Sequence, residues 1–157
     1  MDHVRFDAAD ATLILACAKG APVSILYWGA ALHADTGCAE LEGLFARQGM
    51  HGVADEPLPL SLAMEPGLGH PMFHGFAAHR AGKDWGSLFA VAKVELRQGG
   101  AKIICRDERT RLGLEYDIDF DARTGVLRIR STLTNYGVTP LDVSDMMTAC
   151  LPVPDAM

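Results

Sequence analysis

The sequence predicts an all-β domain of two stacked antiparallel sheets with at most one or two short helices. Three observations lead there. The stretch Leu112 to Leu133 alternates apolar and polar residues so strictly that only a half-buried hairpin accommodates it. Apolar runs rich in Ile, Leu, Val and Tyr recur along the chain with Gly- or Pro-bearing turns between them. No helical stretch lies between those runs of the kind that parallel strands need for their crossovers. A length of 157 residues reads as one domain, 1–157. A chain of that size buries about 68–70% of its unfolded surface and needs no metal or disulfide staple.

The start, Met1-Asp2-His3-Val4-Arg5-Phe6-Asp7, is polar and carries no signal-peptide pattern, and no apolar run approaches the ~20 residues of a membrane span. Thr12 to Ala18 and Val23 to Trp28 are expected to form a first hairpin around the turn residues Lys19-Gly20-Ala21-Pro22. The near-continuous apolar run Leu13 to Ala18 predicts burial on both faces. A short helix is expected over Cys38 to Arg47, with Leu41, Leu44 and Phe45 at helical spacing, Asp35 or Thr36 as its cap and Gly49 beyond its end.

From His51 to Trp85, Pro57, Pro59, Pro66 and Pro71 predict a long irregular excursion, with one short edge strand at Leu58 to Met64. Regularity returns with strands at Ser87 to Gln98 and Lys102 to Arg106, joined at Gly99-Gly100. In the hairpin that follows, the loop Ala122-Arg123-Thr124-Gly125 sets a register. That register places Phe120 opposite Leu127, Ile118 opposite Ile129 and Leu114 opposite Leu133 on the buried face. It also puts Asp119 opposite Arg128 and Asp117 opposite Arg130 on a solvated one. A slip by one residue breaks both sets. Asn135-Tyr136-Gly137 turns the chain into a last strand, Leu141 to Leu151. Pro152 and Pro154 then read as a linker to further protein.

The net charge of −6 and the lack of a Lys/Arg cluster argue against nucleic acid or an anionic membrane as partner. Cys17, Cys38, Cys105 and Cys150 lack paired spacing and are expected to be buried reduced thiols, which points to a reducing, cytoplasmic compartment.

Candidate chemistry is sparse. His70, His74 and His79 lie close together, but Pro71 and Gly75 forbid a helix that presents two of them on one face, and no Cys or carboxylate stands at ligand spacing, so no metal is expected. His33 and His51 read as solvated or packed. Glu65, before Pro66-Gly67-Leu68-Gly69, and Asp84, beside Trp85-Gly86, are carboxylates in glycine-bearing loops. Glycoside hydrolysis uses such a pair, although nothing in their spacing pairs them. Trp28 and Trp85 could stack on a sugar, and equally serve as core or interface. Without a Gly-x-Ser-x-Gly elbow, a Cys-x-x-Cys or a phosphate-cradling loop, acyl transfer, redox exchange and nucleotide binding find no support, and no cofactor is expected.

Several pieces taken in order resemble the N-terminal domain of bacterial alpha-galactosidases of glycoside hydrolase family 36. They are Tyr27-Trp28-Gly29, Glu65-Pro66-Gly67-Leu68-Gly69, Gly75 to His79 with Gly82-Lys83-Asp84-Trp85, Leu112-Gly113-Leu114-Glu115-Tyr116, Ile129-Arg130-Ser131 and Leu133-Thr134-Asn135-Tyr136-Gly137. The resemblance covers nearly the whole chain. It implies a two-layer antiparallel β-supersandwich ahead of a (β/α)8 catalytic barrel and a small C-terminal β domain. In that family the anomeric configuration is retained and both catalytic aspartates lie in the barrel, one in a Lys-Trp-Asp motif. Lys83-Asp84-Trp85 holds the same residues in another order and ahead of any barrel, so Asp84 is not expected to be the nucleophile.

The resemblance therefore implies a non-catalytic domain whose partners are its own barrel and, through oligomer contacts, other copies, with α-galactoside met only indirectly. The candidates for an interface or substrate-bordering loop are Trp28, Glu65, His70, His74, His79, Asp84 and Trp85, within the excursion from His33 to Trp85 or just before it. Two other readings remain: a carbohydrate-binding module that uses Trp28 or Trp85, and a mutarotase-like enzyme.

Overall fold

The computed structural model describes residues 2–45, 60–68 and 74–153. Among them are nine strands, one α-helix and a single 3-10 turn at Pro66–Leu68, so the all-β expectation with one short helix holds.

The first sheet contains β1 (His3–Asp7), β2 (Ala11–Ala16) and β3 (Ser24–Ala30), antiparallel in that order. The first hairpin is the expected one, with Ala16 opposite Ser24. Thr12, Leu13, Ile14 and Leu15 of the central strand are all fully buried, which is the two-faced burial that its apolar run predicts. Strand β1 was not anticipated. Its inward Val4 and Phe6 alternate with His3, Arg5 and Asp7, and in a five-residue strand that half-polar pattern reads as a polar start.

Helix α1 (Cys38–Phe45) follows. Gly37, rather than Asp35 or Thr36, stands before it, and the Gly37 carbonyl accepts the Leu41 N–H. Glu42 meets His3 Nε2 at 2.7 Å and so ties the helix to β1. The expected extension to Arg47, Gly49 and His51 lie outside the described residues.

The edge strand expected at Leu58 to Met64 is only a bridge between Ser61 and Ser24, flanked by Ile25 N–H donating to Leu60 O and Leu62 N–H donating to Val23 O. Leu58 and Pro59 lie outside the described residues. The excursion to Trp85 is also less irregular than its prolines suggest, because β4 (Phe76–His79) lies inside it. β4 pairs with β9 (Asp142–Met146), more than sixty residues away in the chain, in a separate two-stranded sheet. The last strand is thus shorter than Leu141 to Leu151. Beyond Met146 the backbone leaves the ladder, with Met147 N–H donating to Gly75 O and Cys150 N–H to Leu62 O.

The main sheet is a meander of β5 (Ala90–Arg97), β6 (Gly100–Asp107), β7 (Leu112–Phe120) and β8 (Leu127–Asn135). The β7–β8 register matches the expectation at every pair, from Phe120 with Leu127 to Leu114 with Leu133. Gly125 adopts φ 66° in the connecting loop, and the Asp121 carboxylate accepts the Arg123 and Thr124 amides there.

The outer-face charges depart from the expectation in one respect. Asp119 pairs with Arg128 at 2.5 Å as expected, but Asp117 makes its ion pair with Arg97 of β5 instead of with Arg130 opposite. Arg97, Gly100, Asp119 and Arg128 form one row across the four strands. Gly100 has no side chain to separate its neighbours, so the Arg97 guanidinium lies across it and reaches both aspartates.

One hydrophobic core joins the sheets. Val4, Phe6, Leu13 and Leu15 meet Ile103, Cys105, Leu114, Tyr116, Ile118 and Phe120, and Phe76 and Ala78 of β4 close one side. The Phe6 and Phe120 rings are 5.8 Å apart, and Phe89 meets Phe76 edge-on at 5.1 Å. Burial of these two inner faces, with the charged ladder left in water, is what makes the sandwich.

Candidate functional site

Two neighbouring turns project from the β4 and β9 side of the sandwich. The first begins at His79, the end of β4. Arg80 and Lys83 bridge each other across Ala81 (φ 48°) and Gly82 (φ 77°), a two-residue turn with both central residues at positive φ. After Lys83, Asp84 is again at positive φ (65°), and the next residue stands at the surface. That residue is Trp85. Its indole N–H donates to Gly82 O at 3.0 Å, its ring packs 4.3 Å from the His79 ring, and half of its surface (52%) remains exposed. His79 Nδ1 accepts the Gly82 N–H at 3.3 Å and lies 3.4 Å from Asp142 Oδ2 of β9.

The second turn follows β8. Asn135 Oδ1 accepts the Gly137 N–H at 2.9 Å, and its amide donates to Thr139 O at 2.9 Å, so one side chain shapes the whole turn. Arg80 links the two turns: Nη2 donates to Asn135 Oδ1 at 2.7 Å, and Nη1 lies 3.4 Å from Asp84 Oδ2. Tyr136 lies under the Arg106 guanidinium, 4.7 Å from its ring centre, and is 50% exposed; Val138, two residues on, is almost bare. The linked turns therefore present an indole, a phenol and an aliphatic side chain to the outside, held by arginine, asparagine and histidine.

Such a surface can stack on the apolar face of a sugar ring, or bury itself against another protein surface, with hydrogen-bonding groups at its rim. It offers no acid and nucleophile pair. Asp84 is engaged by Arg80, and Glu65 is 2% exposed in the interior, where it accepts the Ser61 hydroxyl. Burial pushes the Glu65 carboxyl above its ordinary range, against the smaller opposing effect of the Ser61 hydrogen bond.

Of the residues singled out in the sequence, the structure brings His79, Asp84 and Trp85 together. Trp28 packs against the core, and His74 is exposed ahead of β4. His70 lies outside the described residues. Among the described residues no three His, Cys, Asp or Glu side chains are placed to hold a metal ion, and no helix is long and apolar enough to cross a membrane. All four cysteines are free, but only Cys17 and Cys105 are fully buried, and burial pushes both thiols up to about 12.

Sequence reasoning missed Arg80, Asn135, Tyr136 and Asp142. Asn135-Tyr136-Gly137 was legible as a turn, but its meeting with Arg80, 55 residues earlier, is a product of the fold.

Residues 21–157 match the family model described as the glycosyl hydrolase family 36 N-terminal domain. No curated protein matches. Among solved structures, the alpha-galactosidase from Lactobacillus brevis superposes with a TM-score of 0.74 at 11% identity, over 94% of this chain and 23% of that one. The chain thus spans about a quarter of the length of that relative.

Proposed function

Because the chain belongs to the family of glycosyl hydrolase family 36 N-terminal domains, we propose that it serves as the non-catalytic first domain of an enzyme that hydrolyses terminal α-galactosides. The turns at 80–85 and 135–139 are its working surface: they meet the catalytic barrel of the same or a neighbouring subunit and border the sugar site there. The observation that carries this reading is Trp85, a half-exposed indole on a left-handed turn that Arg80, His79 and Gly82 hold in place. A side chain this apolar is costly to hold in water, and the surrounding bonds fix its position at that cost.

The separation of the two loop carboxylates supports a role without chemistry of its own. A glycosidase needs both groups on one cleft, and Glu65 is in the interior while Asp84 is at the surface. The free thiols fit a reducing, cytoplasmic setting, and the enzyme as a whole is expected to be a homo-oligomer. A second reading, a carbohydrate-binding module, draws on the same exposed Trp85, whereas Trp28 is committed to the core.

The chain by itself is expected to release no nitrophenol from 4-nitrophenyl α-galactoside. Turnover that survives purification and disappears in Asp84→Asn would overturn the proposal. Saturable quenching of tryptophan fluorescence by melibiose or raffinose in the chain alone, lost in Trp85→Ala, would favour the binding module instead.

A further inference from the structure

Residues 60–68 form an irregular strap that fastens the parts of the domain to one another. It is bonded to β3 through Leu60 and Leu62, and to the last segment through Cys150 N–H donating to Leu62 O at 2.8 Å. At the entry to β4, Gly75 N–H donates to Met64 O at 3.2 Å, and ahead of β5, Gly67 N–H donates to Ser87 O at 2.9 Å. Each fastening is one or two hydrogen bonds, without the reinforcement of a ladder.

Glu65 sits in the middle of this strap, 2% exposed. The Ser61 hydroxyl donates to Glu65 Oε2 and itself accepts the Met64 N–H at 2.9 Å. Met64 is held at φ 46°, a strained left-handed conformation for a non-glycine residue that persists only where its surroundings impose it. Among the described residues, the titratable groups that face Glu65 are Cys105 of β6, Tyr116 of β7 and Cys150 of the last segment, all of which burial keeps neutral. None of these described groups is a cation, and burial outweighs the hydrogen bonds from the Ser61 hydroxyl and the Glu65 backbone that favour a charge.

We propose that Glu65 is a proton-dependent latch: with its proton it locks the 60–68 strap into the sandwich, and when it loses that proton the strap lets go of β3, the entry to β4 and the segment after β9. The strap gives way before the sheets do because it is held by isolated bonds and carries strain at Met64. The direction follows from the environment. Burial favours the neutral acid, so the latch is fully closed below the ordinary carboxyl range and opens as pH rises through the higher value that Glu65 has when folded. The bonds of the strap to Gly75 and Cys150 place the release at the base of β4, which carries the Trp85 turn, and at the segment that follows β9. The latch depends only on the interior and stands whether or not the proposed enzymatic role does.

Hydrogen exchange read by mass spectrometry tests this, with rates corrected for the intrinsic pH dependence of exchange. As pH rises from below the ordinary carboxyl range into the alkaline range, protection of peptides covering 60–68 and 147–153 is expected to fall about tenfold or more, while β6 and β7 keep theirs. In Glu65→Gln, which keeps the acceptor for Ser61 without a charge, protection is expected to be independent of pH. An unchanged strap in the wild type, or an equal loss in Glu65→Gln, would overturn the latch. Infrared spectroscopy of the wild type provides a check without a variant. A protonated-carboxyl band is expected wherever the strap is protected and must fade over the same pH range in which the strap loses protection; loss of strap protection without loss of such a band would equally overturn the proposal.

Discussion

Gly75 and Ile118 show what the interior demands of single residues. A Cβ on Gly75 would stand 2.6 Å from Ala63 O, a backbone atom fixed by the strap. Gly75→Ala is therefore expected to lose about 1–3 kcal/mol of stability, measured by urea denaturation. Ile118, fully buried between the sheets, is expected to lose about 2–5 kcal/mol on truncation to Ala. Trp85→Ala should leave thermal stability nearly unchanged, because that ring is half in water and leans on the His79 ring and the Gly82 carbonyl. This contrast separates a residue kept for contact from residues kept for packing.

Elements were legible in the sequence to the extent that they were long and locally paired. The β7–β8 hairpin could be read to the residue because nine-residue strands repeat the alternation often enough to fix both faces, and the loop between them fixes the register. β4, four residues long, and β9, five, among the described residues pair only with each other across the chain, and neither carries enough repeats to stand out from a Pro- and Gly-rich stretch. The candidate site was half legible for the same reason. His79, Asp84 and Trp85 are neighbours in sequence, while Asn135, Tyr136 and Asp142 reach them only through the β4–β9 pairing and the Arg80–Asn135 bond. Glu65 was misjudged because a glutamate before Pro-Gly reads as a surface loop, and nothing in that pattern reveals Ser61 or the core closing over it.

The turn between β6 and β7 leads to a separate expectation. Burial works against an ionised Asp107, but hydrogen bonds from Thr110 and from the Leu88 amide outweigh it and hold the carboxyl below its usual range. This contribution is present above the ordinary carboxyl value and is lost as pH falls through the lower, folded value. Asp107→Asn should therefore destabilise the fold at neutral pH by about 1–3 kcal/mol and flatten the acid limb of its stability profile, which a series of thermal melts would reveal.

Across the whole molecule, stability is bounded on both sides by buried acids. Asp107 binds its turn only when ionised, whereas Glu65 fits the interior only when neutral, so the sandwich is most secure at the pH values between their transitions. Between two sheets that bury their inner faces and a charged ladder that meets water, the linked turns at 80–85 and 135–139 are the place where the fold holds an exposed indole in a fixed position. Steady-state kinetics of Trp85→Ala in the complete enzyme, with raffinose and 4-nitrophenyl α-galactoside side by side, test that role most directly. KM for raffinose is expected to rise about five- to tenfold, equivalent to roughly 1–1.4 kcal/mol of lost binding, with a smaller change for the short substrate. Unchanged kinetics for both substrates, together with an unchanged oligomeric state, would contradict it.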